Sequence, residues 1–511
     1  MVVVFIDGHN DLVLRTWQGE RPLHLELDRA AEAGFLGGFF ALFVPGPSRT
    51  LPSGAPFALE LCEPVPRAEA ARVAAELATT LEALEVRIVR RSEDFVPGRV
   101  NAIMHLEGAE ALAPDLSDLE AWYERGLRSV GLTWARANAF GEGVPFRFPS
   151  SPDTGPGLTE AGLGLVQACN LHGILVDLSH LNEAGFWDVA RVTQAPLVAS
   201  HSNAHALCPS SRNLTDGQLD AIGRSGGIVG VNFAVAFLAA DGVDDPSVPL
   251  EEIVRHIDYL VSQIGIDHVG LGSDFEGAVI PDALGGMSGL RRLAAALEDR
   301  GYDEDAVAKV SHRNWLRVLE ETWNPWGRYL RHAGQDPRRT LLDALARFDE
   351  PGLAVDLGAG GGRDSVELLR CGWSVIAIDR EQEAIDRLHA LAGPASPRLE
   401  TRRSRFEEAT WPRCDLVNAS FALPFCAPAS FAALWARIVE SLRPGGRFCG
   451  QLFGERDQWA GSGIVVVSRE ELERLLAPFE VERLDEEEAD GSTVIGKPKH
   501  WHLFHVVARR R

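Results

Sequence analysis

Three histidines and three carboxylates stand at or just past the ends of short apolar runs in the first 280 residues. Asp7-Gly8-His9-Asn10-Asp11 follows the run Val2–Ile6, and His105-Leu106-Glu107-Gly108 ends Ala102–Leu106. Asp177-Leu178-Ser179-His180 ends Ile174–Leu178, Ser200-His201-Ser202 ends Leu197–Ser200, and Gly272-Ser273-Asp274 ends Val269–Gly272. Imidazole nitrogen and carboxylate oxygen suit zinc, and one carboxylate can bridge two ions held roughly 3.5–4 Å apart, the spacing of two-metal hydrolytic sites. His9, Asp11, Glu107, His180 and His201 therefore form a candidate five-ligand set. A single His or Asp at a run end is ordinarily bonded to nearby backbone, but five at matched ends argue for convergence. His105, His205 and His268 fall outside this pattern and read as supporting or surface residues.

A second stretch with chemical meaning is Ala354-Val355-Asp356-Leu357-Gly358-Ala359-Gly360-Gly361-Gly362-Arg363-Asp364. Its glycines let backbone close on a ligand, and Asp379, ending the next apolar run about twenty residues on, stands where a carboxylate accepts ribose hydroxyls. The dinucleotide fingerprint needs a glycine where this chain has Arg363, so the pattern is G-x-G-x-G behind an aspartate.

The elements that must position these residues fall into two sets. Eight apolar runs precede residue 280, the remaining three being Phe39–Val44, Ser129–Thr133 and Ile228–Phe233, and helix-like segments such as Ala68–Leu84, Thr159–Leu171 and Leu250–Ile264 lie between them. Alternating strands and helices imply parallel strands joined by crossovers, and eight such units predict a (β/α)8 TIM barrel over residues 1–323, closing with a helix at Asn314–Thr322. A polar linker is expected at 324–339. From 340 to 511 a helix at Thr340–Phe348 and runs at Leu353–Leu357, Ser374–Ile378, Asp415–Ala419, Gly446–Phe453, Phe479–Leu484 and Trp501–Ala508 predict a doubly wound, Rossmann-like α/β domain.

Fifty basic against 73 acidic residues leave a net charge of −23 on 511 residues, without the basic footprint that a nucleic-acid backbone requires. The first apolar run is too short for a signal peptide, no stretch is long enough to span a membrane, and the chain is read as cytoplasmic. Seven scattered cysteines without C-x-x-C argue for buried thiols, not a disulfide framework or thiolate zinc site.

The five motifs around the candidate ligands, in this order and spacing, resemble those of the renal (membrane) dipeptidase family across about residues 1–323. The resemblance implies that His9 and Asp11 hold one zinc, His180 and His201 the other, and that Glu107 bridges. It further implies that Asp274 shuttles a proton between water and the leaving amine, and that Arg212 grips the terminal carboxylate of a dipeptide. The animal members carry a substrate-contacting His after the fourth strand where this chain has Trp134, a donor without an acceptor, so substrate preference is expected to differ.

The glycine loop, Leu442-Arg443-Pro444-Gly445-Gly446 and Lys499-His500-Trp501-His502-Leu503-Phe504 resemble class I S-adenosylmethionine-dependent methyltransferases over about residues 340–511. By that resemblance Asp356, Gly358 and Gly360 line the methionine moiety, Asp379 the ribose and Glu407 the adenine edge. The Asn/Asp-Pro-Pro-Tyr of amino-group DNA methylases is absent, which points to a small-molecule acceptor; Phe421, Phe425 and Trp435 are candidates for its pocket. The expectation is a bifunctional enzyme using two zinc ions and S-adenosylmethionine, acting on a dipeptide and an unidentified methyl acceptor, with homodimerisation left open. Two alternatives stand beside it: a methyltransferase whose barrel is a non-catalytic binding module, and a barrel that hydrolyses another amide or a lactam.

Overall fold

The computed structural model describes residues 3–46, 56–393 and 397–511, so Val2 at the head of the first apolar run lies outside the described residues. The chain divides into two units, Met1–Pro325 and Trp326–Arg511. In the first, eight strands pair in parallel and close into a ring: Phe5–Asn10, Phe35–Phe43, Asn101–Glu107, Leu127–Gly131, Leu175–Asp177, Val198–Ala199, Ile228–Asn232 and Val269–Gly272. Asp7 pairs with Leu271 to join the last strand to the first, and a two-residue strand, Arg87–Ile88, adds beside Asn101–Glu107. The first strand continues to Asn10, past the point where its apolar run stops, so His9 lies within it and not after it.

The crossover helices bury the stripes that their spacing dictates. Arg67–Ala83 covers Ala70, Val73, Ala74, Leu77, Ala78 and Leu81, and Glu251–Ile264 covers Ile253, Val254, Ile257 and Leu260, positions three and four apart that form one helical face. Glu160–His172 starts where the Thr159 side chain accepts the Gly162 N–H and ends at Gly173 in the left-handed region, the two ends that leave helix backbone groups needing partners. The last helix, Asn314–Trp323, closes the lower end of the barrel. Trp315, fully buried, donates Nε1 to the Leu271 carbonyl at 2.9 Å, and Val318 and Leu319 pack with Ile6, Ile103, Leu175, Val198 and Ile228. Gly8, Gly230 and Gly270 make room for that indole, since a Cβ on any of them would approach it within 3.0 Å.

The second unit opens with the helix Pro325–His332, inside the stretch expected to be a linker, followed by Arg339–Leu345. Its main sheet runs Leu399–Arg403, Ser374–Asp379, Leu353–Leu357, Cys414–Ala419, Leu442–Gly454, Pro498–Arg510 and Phe479–Ser492, with Val466–Val467 beside Leu442–Gly454. The first five are parallel; Pro498–Arg510 is antiparallel to both of its neighbours. Strand order reverses between Leu353–Leu357 and Cys414–Ala419, and a crevice at such a reversal is where doubly wound sheets bind ligands. The edge strand Leu399–Arg403 is absent from the apolar runs because, lying at the margin, it has a single apolar residue to bury.

No described helix is long and apolar enough to cross a membrane. The seven cysteines are all unpaired, and six are buried, Cys371 being exposed. Replacing Trp315 by alanine should destabilise the first unit by about 3–5 kcal/mol, the cost of removing a fully buried aromatic from a site that cannot collapse. Denaturant unfolding of Trp315→Ala against the parent chain measures it.

Candidate metal centre and cofactor loop

Strand alternation puts residues two apart on the same face, so Asp7 with His9, and His105 with Glu107, both point into the barrel lumen. That pairing is the sequence signal that identifies His105, which the run-end rule passes over: its ring is fully buried, 5.7 Å from that of His9.

Three overlapping groups of ligand atoms form at the upper end of the lumen: His9 with Asp11 and Glu107, Glu107 with His180 and His201, and His9 with His201 and Asp274. Glu107 belongs to two of them. Its Oε2 is 3.6 Å from His9 Nε2 and its Oε1 is 3.1 Å from His180 Nε2 and 3.8 Å from His201 Nε2, while Asp11 Oδ2 lies 3.4 Å from His9 Nε2. The Nε2 atoms of His180 and His201 face each other at 2.9 Å. Both His9 ring nitrogens and His180 Nδ1 are buried without a hydrogen-bond partner. Buried nitrogen and carboxylate donors that converge on one another and leave partners unmade fit divalent ions, and their mixture of imidazole and carboxylate suits zinc.

Burial and neighbours set the charges. Burial disfavours the His9 cation, but Glu107, Asp11 and Asp274 outweigh it and push its pKa up to about 10. Burial pushes Glu107 up to about 8 against the pull of His9. His180 and His201 go the other way, held well below the usual range by burial and by the nearby positive charges of His9 and Arg212. Neutral imidazole is the form that donates its lone pair to a metal.

Behind the candidate ligands stands a set of groups that orient them. Ser200 Oγ bonds to Asp177 Oδ2 at 2.5 Å and to His201 Nδ1 at 2.7 Å, which fixes the His201 ring with Nε2 toward Glu107. Asp7 accepts the Ser273 N–H and hydroxyl, both at 2.7 Å, and ties the last strand to the first. Asn232 donates to Asp274 Oδ2 at 3.0 Å. Glu276 accepts the backbone N–H groups of Leu23, His24 and Leu25 and pairs with Arg15 at 3.0 Å. His180, Asp274 and Glu276 all have positive φ (66°, 60° and 72°), strained backbone that non-glycine residues adopt mainly where a site demands it. None of these supporting residues stands out by type alone; for Asp7 and Ser200 the signal is position, two before His9 and directly beside His201.

Arg212 is buried and donates Nη1 to Ser202 Oγ at 2.9 Å and Nη2 to the His201 carbonyl at 2.7 Å, with Nε unpaired. Trp134 lies beside the centre, its ring tilted against that of His180 at 5.9 Å and edge-on to Phe146 at 5.8 Å. His205 and His268 bond instead to the carbonyls of Ser150 and Gly227.

In the second unit the glycine loop bends at the end of Leu353–Leu357. Gly358 has φ +67°, and a Cβ there would meet that of Ala422 at 2.6 Å, so only glycine fits. Asp379 receives the Gly360 N–H on Oδ2 at 2.8 Å and the Glu381 N–H on Oδ1 at 2.9 Å, which pins the loop to the end of the neighbouring strand. Asp356 lies beneath, bonded to Ser365 Oγ and Asn418 Nδ2, and burial with the adjacent Asp364 charge pushes it up to about 7. Glu407 accepts the Ala427 N–H at 3.1 Å. Arg387 bonds to the Leu330 carbonyl, which fastens the helix Pro325–His332 beside the loop. Trp435 is not part of this region: it is buried against Phe448 and donates to the Leu475 carbonyl, as core.

Comparison with known proteins agrees with this division. Residues 354–446 match a methyltransferase domain. A metallopeptidase from Rhodobacter sphaeroides, solved with a phosphinate mimic of the dipeptide L-Ala-D-Ala, is 45% identical, with a TM-score of 0.61 over 63% of this chain and 100% of its own. An uncharacterized protein from the pqqA 5′ region of Klebsiella pneumoniae is 55% identical over 221 residues, 43% of this chain and 82% of its own. The dipeptidase aclJ of Aspergillus oryzae is 37% identical over 224 residues, 44% of this chain and 52% of its own. Residues 2–325 match the membrane dipeptidase family, peptidase family M19, and through this barrel the chain, which also carries a methyltransferase domain, belongs to that family.

Proposed function

We propose that the barrel is a binuclear zinc dipeptidase and that the second unit transfers a methyl group from S-adenosylmethionine to a small molecule. The observation that carries the first half is a single carboxylate, Glu107, shared between two groups of buried ligand atoms. His9 and Asp11 would hold one ion, His180 and His201 the other, with Glu107 between them. When bound, the zinc pair supplies Lewis acidity at the peptide carbonyl and lowers the pKa of the attacking water.

The chain's own residues do the rest. Arg212, oriented by Ser202 and the His201 carbonyl, presents its unpaired Nε edge to the substrate's terminal carboxylate, a planar anion that a guanidinium matches. Asp274 sits in the His9 and His201 group, and burial raises its pKa despite the pull of His9. It takes the proton that the attacking water loses and returns it to the departing nitrogen. Asn232 holds that carboxylate in line. The Rhodobacter relative binds a mimic of L-Ala-D-Ala, and this chain, 45% identical to it, is assigned dipeptides with a C-terminal D-residue as its substrate class.

In the second unit the bound cofactor supplies an electrophilic methyl on a sulfonium. Gly358 and Gly360 shape the bend that lets backbone approach it, Asp356 braces that bend from below, Asp379 accepts the ribose hydroxyls, and Glu407 faces the adenine edge.

Metal loading at pH 7 should release about one proton per chain, because the carboxylates of Glu107 and Asp11 outweigh burial and keep His9 protonated, and the ring must give that proton up to bind. Affinity should therefore weaken as pH falls from 8 to 6, and calorimetry in buffers of different ionisation enthalpy reads the proton count. Elemental analysis that finds no divalent metal, even after reconstitution, overturns the hydrolase reading.

Asp274→Asn should lower kcat for L-Ala-D-Ala by about 10²–10⁴-fold, the worth of a positioned acid-base group, while the metal content stays at its parent value. Unchanged turnover removes Asp274 from the reaction. Asp379→Ala should weaken S-adenosylmethionine binding by about 1–3 kcal/mol in calorimetry, the cost of leaving hydroxyls without a charged acceptor, with peptidase activity preserved.

A further inference from the structure

The second unit holds a group of rings that none of the steps above uses. Trp326 meets Phe425 at 4.9 Å, Phe425 meets Phe453 at 6.0 Å, Phe453 meets Trp501 at 5.9 Å, and Trp501 meets Trp459 at 5.8 Å and Phe421 at 6.2 Å. Phe421 and Phe425 follow the strand Cys414–Ala419, Phe453 and Trp459 mark the end of Leu442–Gly454, and Trp501 lies near the start of Pro498–Arg510. Because that last strand is antiparallel, its start falls at the same sheet edge as the ends of the others, the edge that carries the glycine loop. The array also abuts the loop through Ala422, the residue that a Cβ on Gly358 would strike.

Five of the six rings are only half-buried, Phe453 being the exception. These rings keep part of their surface accessible at the ligand-binding edge of the sheet, where a planar group can pack against them. Phe421 has φ +54°, a strained conformation for a large side chain, and it aims the ring at Phe453 and Trp501. Trp326 Nε1 is buried without a partner.

Beneath the rings lies a buried cation. Lys499 Nζ is 4.0 Å from the Trp501 ring centroid, 4.4 Å from that of Trp459 and 5.3 Å from that of Phe453. Its side chain is fully buried and ion-paired to an equally buried Asp457, which also accepts the backbone N–H groups of Trp459 at 2.9 Å and His502 at 3.2 Å. A buried ion pair is an expensive way to hold a fold together, so its retention calls for a reason. Here it grips the backbone on both sides of the array and presses an ammonium against electron-rich ring faces, which fixes the two indoles in place.

We propose that this array is the methyl-acceptor site, that it selects a flat aromatic acceptor packed against Trp459 and Trp501, and that Lys499 with Asp457 is a positioning pair for those rings. The proposal rests on the methyltransferase reading above. In the transfer, a lone pair on the acceptor forms the new bond to the methyl carbon, the electrons of the broken carbon–sulfur bond stay on sulfur, and the acceptor's proton passes to solvent. An aromatic acceptor is preferred over a saturated one of similar size because ring stacking adds to what apolar area alone supplies.

The test is binding by the full chain, saturated with S-adenosylhomocysteine, of 2-naphthol and of its saturated counterpart decahydro-2-naphthol, followed by equilibrium dialysis. The aromatic probe should bind about tenfold tighter, a ratio set by stacking. Trp501→Leu and Lys499→Met should each weaken 2-naphthol about tenfold while S-adenosylhomocysteine affinity by calorimetry stays unchanged, and Lys499→Arg should restore most of the loss. Equal binding of the two probes, or no binding of 2-naphthol by a chain that does bind S-adenosylhomocysteine, overturns the acceptor assignment. The probe comparison uses the unmutated chain, so it stands even if a variant fails to fold. Failure of the unmutated chain to bind S-adenosylhomocysteine at all would instead overturn the cofactor reading on which this one rests.

Discussion

The barrel is organised around the burial of charge. Placing His9, Asp11, Glu107, His180 and His201 in a lumen with almost no solvent access, with Asp274 at its mouth, would cost far more than a domain's net stability if their charges were left uncompensated. Asp7 and Asp177 accept hydroxyls and backbone N–H groups from the strand next to them, so the carboxylates that orient the centre also stitch neighbouring strands. Arg212 enters the same cluster as a buried cation, and burial lowers its pKa to about 10 although Asp274, Asp177 and Glu107 draw it upward. Mutual compensation is incomplete at the centre itself, where His9 Nε2 stays buried without a hydrogen-bond partner within reach of Asp11 and Glu107.

Much of this was legible in the sequence, for a reason particular to barrels. Strand ends collect on one rim, so a residue type repeated at the ends of apolar runs predicts a spatial cluster without knowledge of any distance. The run-end rule brought His9, Glu107, His180, His201 and Asp274 forward, and they do come together. It passes over His105 and Asp177 because these lie inside their apolar runs, where only the period-two alternation reveals which face they occupy. It could not find Asn232 or Glu276, whose roles depend on a partner far away in the chain. Asn232 reaches Asp274 across 42 positions and Glu276 reaches Leu25 across 251.

The second unit was less legible, and the losses have one cause. Apolar runs report buried strands, so the margin of the sheet escaped: Leu399–Arg403 at one edge is polar, and Phe479–Ser492 at the other continues through Glu486, Glu487 and Glu488 well past its apolar start. The helix Pro325–His332 escaped for a related reason, since Pro325 and Gly327 read as turn residues, although proline is well tolerated in a first helical turn. Residue type groups Trp435 with Phe421 and Phe425, but its place on the helix Pro428–Ser441 turns it into the core. Residue type identifies aromatics; only the sheet edge on which they stand separates those left partly accessible from those packed in the core.

The two units therefore build sites by opposite means. In the barrel a site arises from polar groups forced into the interior, and its precision comes from hydrogen bonds that leave few alternatives: His201 is held at one nitrogen by Ser200, which is itself held by Asp177. In the second unit a site arises from apolar rings left partly outside, and its precision must come from something other than hydrogen bonds between the rings. The Lys499 and Asp457 pair supplies it. A cation under three rings sets their spacing by attraction that falls off with distance, and an anion bonded to two backbone N–H groups prevents the cation from moving away. A buried charge pair so used is a geometric device first and a source of stability second, which is why exchanging it for well-packed apolar residues could leave the fold intact and still blur the surface it holds.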